Sequence, residues 1–306
     1  MEQLFNRNNI YALLAFLGLL LIVVYIPLGT LALMLLSVPF IYLAKTNTTQ
    51  QFLILTGIVI LVALILAFAT GFFFTVLAAS VAYVIARFIR IKKIATTYLY
   101  ALLTAIANIA LLIIISRLFF TLDFSTYFMD QLNKTINAGQ GFFAQFTPDQ
   151  SAALIESYTE LFNSIIAILP FITIMVSAIY VITNYYFAVK ILKRFSVALP
   201  AIPSPREWTF PRSVMYAYLV VVLFYLFSSK SDFLYNLTLN LFQIFSVIII
   251  IQGIAFIYIL LERRKLSKQW MILAVASIFL PFLNQAIQVI GIVDLAFNLR
   301  DKIPEA

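Results

Sequence analysis

The chain has 306 residues, of which 64% are hydrophobic and 10% charged, and its net charge is +8. A soluble domain carries about 25% charged residues, so most of this surface must face lipid or other helices. His and Cys are both absent, which removes disulfides, thiolate or imidazole catalysis, and metal sites built from those ligands. The composition therefore predicts an integral membrane protein, and we attribute the positive charge to the loops of such a protein and not to nucleic-acid binding.

The apolar runs are continuous and do not alternate with polar residues, which predicts membrane-spanning helices and not barrel strands. The predicted fold is all-α, a polytopic helical bundle of about 8–10 spans, each needing about 20 apolar residues. In chain order, the predicted spans are Ile10–Ile26, Leu28–Ala44, Phe52–Ala69, Phe72–Phe88, Ala95–Phe120, Phe162–Val189, Val214–Phe227 and Leu234–Leu261. The last apolar region, Trp270–Leu299, either crosses once or folds back near Pro281 and Asn284.

The cations decide the orientation. With the N-terminus in the cytoplasm, the predicted inner segments hold fifteen Lys and Arg residues and the outer segments hold three, Arg117, Lys134 and Lys230. Positive charge accumulates on the cytoplasmic side, so we predict a multi-pass protein of the cell membrane with a cytoplasmic N-terminus. Arg300 and Lys302 lie outside if the last region crosses once and inside if it folds back, so the side of the C-terminus stays open.

Two segments are predicted to lie outside the membrane. Residues 121–161 form a long extracellular connection in which Thr147, Pro148 and Gln150 mark a helix start, and Leu154, Tyr158, Leu161 and Ile165 share one apolar stripe. This predicts either a lid or an interfacial helix. Residues 195–213 hold four prolines and form a cytoplasmic linker that we predict to be extended. The linker separates a six-span membrane module, residues 1–194, from a C-terminal membrane module, residues 214–306.

Small residues recur at four-residue spacing in two neighbouring spans, which lets helix backbones approach closely. This seam serves either helix packing or the docking of a partner, and its members are Ala63, Ala67, Gly71, Ala78, Ala82 and Ala86.

Amides within the apolar runs are costly in lipid and must meet another helix or water. The predicted polar intramembrane face consists of Asn236, Asn240, Gln243 and Ser246 in one span and of Asn284, Gln285, Gln288 and Asp294 in the last region. Interhelical hydrogen bonds are the simpler interpretation, and a polar path between the two sets is the alternative. For the lone amides Asn108 and Asn184 we predict helix–helix bonds.

The sequence lacks the residue patterns that are typical of enzyme active sites. No paired carboxylates occur at helical spacing within a span, and no glycine-rich phosphate loop occurs. We therefore predict no catalytic residues, no metal, no cofactor and no enzymatic activity.

The linker residues Leu199–Arg212, with their prolines, Trp208 and the Pro211-Arg212 pair, resemble the YybS-like family of Firmicute membrane proteins. The closing segment from Gly291 through Asp294 to Arg300 also looks like that family's ending. The resemblance covers most of the chain in layout. It implies an uncharacterised multi-spanning protein, whose N-terminal half is similar to the substrate-binding S-components of energy-coupling-factor transporters.

The likeness to S-components implies a solute that enters from outside and a separate membrane coupling subunit as partner. It implies a binding site between the outer parts of the fourth, fifth and sixth spans, formed by Phe72, Phe74, Thr75, Ser116, Arg117, Asn163, Ser164, Phe142, Phe143 and Phe146. The first span departs from the docking pattern, since Ala12, Ala15 and Gly18 are spaced by three and not by four.

Two functions remain in competition. The first is non-enzymatic binding and transport of a small molecule, with the lipid bilayer and a coupling subunit as partners. The second is a membrane scaffold or regulator that binds another membrane protein and no solute. Neither hypothesis includes nucleic acid as a partner.

The orientation is testable by cysteine labelling, because the native chain contains no Cys. We expect Lys134→Cys to react with an impermeant thiol reagent added to intact cells. Glu207→Cys should react only after the membrane is opened. The reverse pattern would overturn the orientation.

Overall fold

The computed structural model describes residues 4–90, 93–120, 126–127, 129–131, 134, 148–229, 233–267 and 269–302. The described secondary structure is helical, as predicted, and six helices are long and apolar enough to cross a membrane, or seven if the bent last pair counts as one span. The α-helices are α1 (Arg7–Tyr25), α2 (Val38–Thr46), α3 (Thr49–Phe88), α4 (Ile94–Phe120), α5 (Pro148–Ala167), α6 (Leu169–Leu192), α7 (Ser213–Phe227), α8 (Phe233–Arg263), α9 (Gln269–Ala276), α10 (Pro281–Phe297) and α11 (Leu299–Lys302). Short 3-10 segments cover Gly29–Leu35, Lys193–Phe195, Pro205–Glu207 and Ser277–Phe279.

Two compact units divide the chain. The first contains Met1–Phe162 and Ile172–Ile202, and the second contains Asn163–Phe171 and Pro203–Ala306. This division differs from the predicted modules in one place, because residues 163–171 lie in the second unit. The assignment of separate roles to the predicted modules stays a prediction.

Helix α3 is a hairpin and not one long rod. Its 40 residues contain a break at Ala67 and Phe68, where Phe68 has a left-handed φ of 46°. Thr49 and Arg87 would lie about 57 Å apart along a straight helix at 1.5 Å per residue. Their side chains instead form a 3.0 Å hydrogen bond. The break therefore separates two antiparallel arms, which correspond to the predicted spans Phe52–Ala69 and Phe72–Phe88.

Small residues close the tip of this hairpin. A Cβ added to Gly71 would lie 2.2 Å from the carbonyl oxygen of Ala63, so the two arms touch through backbone at that point. Just before the break, the carbonyl oxygen of Leu66 accepts a 2.5 Å hydrogen bond from the hydroxyl of Tyr25. Close backbone contact and one tyrosine thus stabilise the turn within the apolar run.

The predicted span Phe162–Val189 is wrong at its start. Phe162 lies in α5, and the chain breaks at Ile168 before α6 begins at Leu169. Pro170 lacks an N–H and fits the first turn of α6, where an N–H has no partner within the helix. The side chain of Asn240 on α8 donates to the Ala167 carbonyl at 2.8 Å and accepts from the Phe171 N–H at 2.9 Å. This single amide satisfies two backbone groups at the break.

The predicted span Leu28–Ala44 is also not one regular helix. A 3-10 segment, Gly29–Leu35, precedes α2, and Ser37 lies at the junction. Asn184 on α6 donates to the Leu33 carbonyl at 2.8 Å and accepts from the Ser37 N–H at 2.7 Å. The predicted helix–helix role of Asn184 is confirmed, and so is that of Asn108, which donates to Ser80 at 3.0 Å.

The C-terminal region is sharply bent. The helical segments Gln269–Phe279 and Pro281–Phe297 meet at an angle of 112°. Helix α10 then runs antiparallel along α8, with Gly291 against Ile249 and Gly253 against Ile287. The linker, predicted to be extended, is extended on both sides of a one-turn 3-10 segment at Pro205–Glu207.

The close contact between α8 and α10 at Gly253 and Gly291 predicts that one added methyl group lowers the stability of the protein. A Cβ on Gly291 would lie 2.2 Å from the Ile249 carbonyl oxygen, whereas nothing lies within 4 Å of one on Gly57. Gly291→Ala must push α10 away from α8, and overpacking of this kind costs about 1–3 kcal/mol. Gly57→Ala should leave stability unchanged or raise it slightly, because Ala is the better helix former.

Thermal unfolding of both purified variants in the same detergent measures this difference. We expect a lower midpoint for Gly291→Ala alone. Equal midpoints for the two variants would show that the α8–α10 crossing is not a tight contact.

Candidate functional site

A buried ion pair in the second unit lies where the closing segment meets the linker. Asp294 on α10 is 1% exposed, and its Oδ2 accepts hydrogen bonds from Arg300 at 2.6 Å and 3.0 Å. The same oxygen accepts from Nε2 of Gln252 at 2.5 Å. A carboxylate buried in an apolar unit needs such partners, because an unpaired charge there is costly.

The linker is attached to the same group of side chains. Nη1 of Arg300 donates to the Trp208 carbonyl at 2.9 Å, and the Phe210 N–H donates to Oε1 of Gln252 at 3.2 Å. We name these five residues, Trp208, Phe210, Gln252, Asp294 and Arg300, the clamp. Because Arg300 contacts Trp208, the closing segment and the linker lie on the same side of the second unit. Whether the last region crosses once or folds back stays a prediction.

The clamp unites residues that the sequence pointed to separately. Trp208, Asp294 and Arg300 belong to the two segments that carry the family resemblance. Gln252 was missed, although a glutamine beside Gly253 in an apolar run is a signal of the same kind as the predicted amides. Asp294 is therefore not an isolated polar residue but one half of an ion pair.

The remaining predicted polar residues serve different purposes. Asn240 and Ser246 are buried, whereas Asn236 is exposed and Gln243 half-buried. Asn284 accepts a 3.2 Å hydrogen bond from Gln288, its neighbour one turn along α10. Since α10 is antiparallel to α8, Asn284 lies towards the C-terminal end of α8, far from Asn236 and Asn240. The structure thus places Asn284 and Gln288 apart from Asn236 and Asn240, and a polar path that joins the two sets stays a prediction.

The predicted outer binding residues are also dispersed. Thr75 is fully buried, and its hydroxyl donates to the Gly71 carbonyl one turn earlier at 2.7 Å. Phe74 packs on Phe73, whereas Phe72 is exposed. On α4, Ser116 is half-buried and Arg117 exposed.

The other predicted outer residues are not added to this group. Asn163 and Ser164 belong to the second unit. Phe142, Phe143 and Phe146 lie outside the described residues. A joint role of the ten residues stays a prediction.

The small-residue seam lies inside the first unit. Ala63, Ala78, Ala82 and Ala86 are fully buried, and Ala67 is 6% exposed. Gly71 closes the α3 hairpin. These buried positions suit internal helix packing, and the docking of a partner along the seam stays a prediction.

A cavity that the sequence did not predict lies at one end of the first unit. It has a volume of about 190 Å³ and is open on one side. We name it the groove; its lining residues are Asn8, Tyr11, Ala12, Ala15, Val38, Pro39, Tyr42, Ile191, Leu192 and Phe195. They come from α1, α2 and the end of α6, and most are apolar or aromatic.

The walls of the groove are fixed by ring contacts. Tyr42 packs edge-on against Phe195, with 6.4 Å between ring centres. On the other side, Arg7 donates a 2.7 Å hydrogen bond to the Tyr11 hydroxyl. Aromatic residues one turn from cations, such as Tyr11 after Arg7, were the sequence signal that could have located this groove.

Comparisons with known proteins show the family of this chain. A family described as "Predicted membrane protein (DUF2232)" matches residues 12–295. The chain belongs to this family.

A curated relative confirms the resemblance to the YybS-like family. This is the uncharacterised protein YybS of Bacillus subtilis (strain 168), 25% identical over 290 residues, which are 92% of this chain and 93% of the relative. No solved structure matches the chain. The family match, residues 12–295, covers most of both units and includes every clamp residue except Arg300.

The clamp predicts an unequal response to single and double substitutions. Arg300→Gln leaves the Asp294 carboxylate buried without its cation, and breaking a buried pair in this way costs about 3–5 kcal/mol. Asp294→Asn combined with Arg300→Gln leaves no charge and should lose less stability. Arg300→Gln should also free the Trp208 end of the linker and speed tryptic cleavage after Arg206.

Unfolding midpoints and cleavage rates of the purified protein measure both effects. Arg264→Gln is the control, because Arg264 is exposed and outside the clamp. If Arg264→Gln and Arg300→Gln behave alike, the clamp contributes nothing specific.

Proposed function

We propose that this chain is a non-enzymatic membrane protein that binds a small molecule in its first unit and takes part in its transport. The observation that carries the proposal is the groove. Ligand sites are concave, mostly apolar and equipped with a few polar groups, and the groove has this character, with Asn8, Tyr11 and Tyr42 among apolar side chains.

Buried polar groups elsewhere favour the groove over other positions. Asn184, Asn240, Gln252 and Asp294 are fully engaged in bonds that hold the fold together. A ligand contact at any of them would have to break a structural hydrogen bond. The hydroxyl of Tyr42 and the amide of Asn8 line the open groove instead.

Transport would need energy from another chain. The sequence has no glycine-rich loop that could cradle nucleotide phosphates. We therefore propose a separate energising subunit, in the manner implied by the likeness to S-components. We place the protein in the cell membrane with its N-terminus in the cytoplasm.

A scaffold role is the second candidate, and one observation in the second unit favours it. Helix α9 has no buried residue, and Ile272, Phe279 and Phe282 around it are 70%, 84% and 81% exposed. An apolar surface of this kind, if it does not face lipid, marks a contact with another protein.

Mass spectrometry of molecules released from the denatured protein tests the proposed function. Protein purified without added solute should release one small molecule at a constant ratio to the chain. Ala15→Trp should abolish this, because the indole would fill the groove. Leu14→Trp is the matched control, since Leu14 is exposed on the same helix and does not line the groove.

If the native protein and Ala15→Trp release the same small molecules in the same amounts, small-molecule binding at the groove is contradicted. If, in addition, a photo-crosslinker at Phe279 captured one and the same membrane protein in cells, the scaffold role would replace it.

A further inference from the structure

The end of the first unit that carries the groove is strongly basic. Arg87 reaches Thr49 and the Asn47 carbonyl, and Arg90 donates to the Lys45 carbonyl at 3.0 Å. Asn9, at the start of α1, pairs with Asn47. These bonds place the start of α1, the end of α2 and both ends of α3 together. We name this the basic end; its described cations are Arg7, Lys45, Arg87, Arg90, Lys93, Lys190, Lys193 and Arg194.

The helices that form the basic end and the groove supply no negative charge to balance these cations. No Asp or Glu occurs between Gln3 and Leu122, or between Leu161 and Arg206. These stretches contain every helix of the basic end and the groove. The counter-charge must therefore come from outside these helices, and in a membrane lipid headgroups are a ready source of anions.

The groove and these cations are parts of one surface. Arg7 is held at the groove by the Tyr11 hydroxyl, and its guanidinium lies 5.3 Å from the centre of that ring. Lys193 and Arg194 lie in the same 3-10 turn as Phe195, which forms the opposite wall. All three cations are exposed. An amphiphile with its chain in the groove would have its headgroup beside them.

From this charge complementarity we infer that the groove binds an anionic phospholipid, with one acyl chain against Ala12, Ala15 and Tyr42 and the phosphate at Arg7, Lys193 and Arg194. The inference rests on the proposed function and specifies the class of its ligand. A zwitterionic lipid offers the same chain but no net charge to the three cations. Selectivity for the anionic headgroup is therefore the property that separates this ligand from other amphiphiles.

Photo-crosslinking with two lipids tests this inference on the full chain. The protein is reconstituted in bilayers of unlabelled phosphatidylcholine with a trace of phosphatidylglycerol or phosphatidylcholine that carries a photoactivatable acyl chain. Crosslinked peptides are mapped by mass spectrometry. We expect phosphatidylglycerol to label Tyr11, Tyr42 and Phe195, and phosphatidylcholine to label them much more weakly.

Two sets of variants distinguish the contribution of the lipid headgroup from that of the acyl chain. Replacing Arg7, Lys193 and Arg194 by Gln should reduce groove labelling by phosphatidylglycerol roughly tenfold to a hundredfold, because each cation near an anionic surface contributes about a fivefold factor. Replacing Arg212, Arg264 and Lys265 by Gln removes the same charge from the second unit and should leave groove labelling unchanged. Ala15→Trp should abolish the labelling of the groove by both lipids.

Several outcomes would overturn the inference. Equal labelling of the groove by both lipids would exclude headgroup selectivity, yet the proposed small-molecule site would stand. Equal losses in the two triple variants would mean that total charge, and not the groove, attracts the lipid. No labelling of the groove by either lipid, or crosslinks there to a second copy of the chain, would exclude a lipid occupant, and the released-molecule experiment would then decide the proposed function alone.

Discussion

The constraint on which the whole structure depends is that a broken helix within an apolar environment must find partners for its free backbone groups. Water is scarce there, and each N–H or C=O group without a hydrogen-bond partner destabilises the fold by roughly several kcal/mol. An Asn or Gln side chain offers a donor and an acceptor together. Asn184 and Asn240 each use both atoms at one break, donating to a carbonyl and accepting from an N–H. Gln252 uses the same chemistry between the linker and Asp294. Each break therefore depends on the amide side chain that bonds to its free backbone groups.

The helical membrane architecture could be predicted from the sequence because apolar length and positive charge are properties of single segments. The breaks could not be, since each depends on a distant residue. No residue near Ile168 indicates a contact with Asn240, which lies about seventy positions away. Pro170 alone is compatible with a kinked but continuous span. The α3 hairpin is the exception: it was predicted as the two spans Phe52–Ala69 and Phe72–Phe88, and Ala63, Ala67 and Gly71 already lay at the spacing that close backbone contact needs.

The candidate sites show the same limit. The predicted outer residues were chosen by depth along each helix, which says nothing about the face on which a side chain lies. Thr75 is at the expected depth, yet its hydroxyl bonds to its own helix at Gly71. The groove depends on how α1, α2 and the end of α6 come together, and only Tyr11, one turn from Arg7, gave a local hint of it. Long-range packing, and not composition, decides which aromatic side chains line a cavity.

The last region shows how one cation ties distant segments together. Length favours a single crossing of Trp270–Leu299, whereas the charges of Arg300 and Lys302 favour a fold-back, and both stay predictions. A bend of 112° beside Leu280 precedes α10, which lies antiparallel to α8, and the glycine pair at 253 and 291 lets the two backbones touch. Arg300 then reaches both Asp294 and the linker carbonyl of Trp208. Arg300 thus fixes the closing segment to the linker, because it supplies the only charge within reach, among the described residues, that pairs with the Asp294 carboxylate.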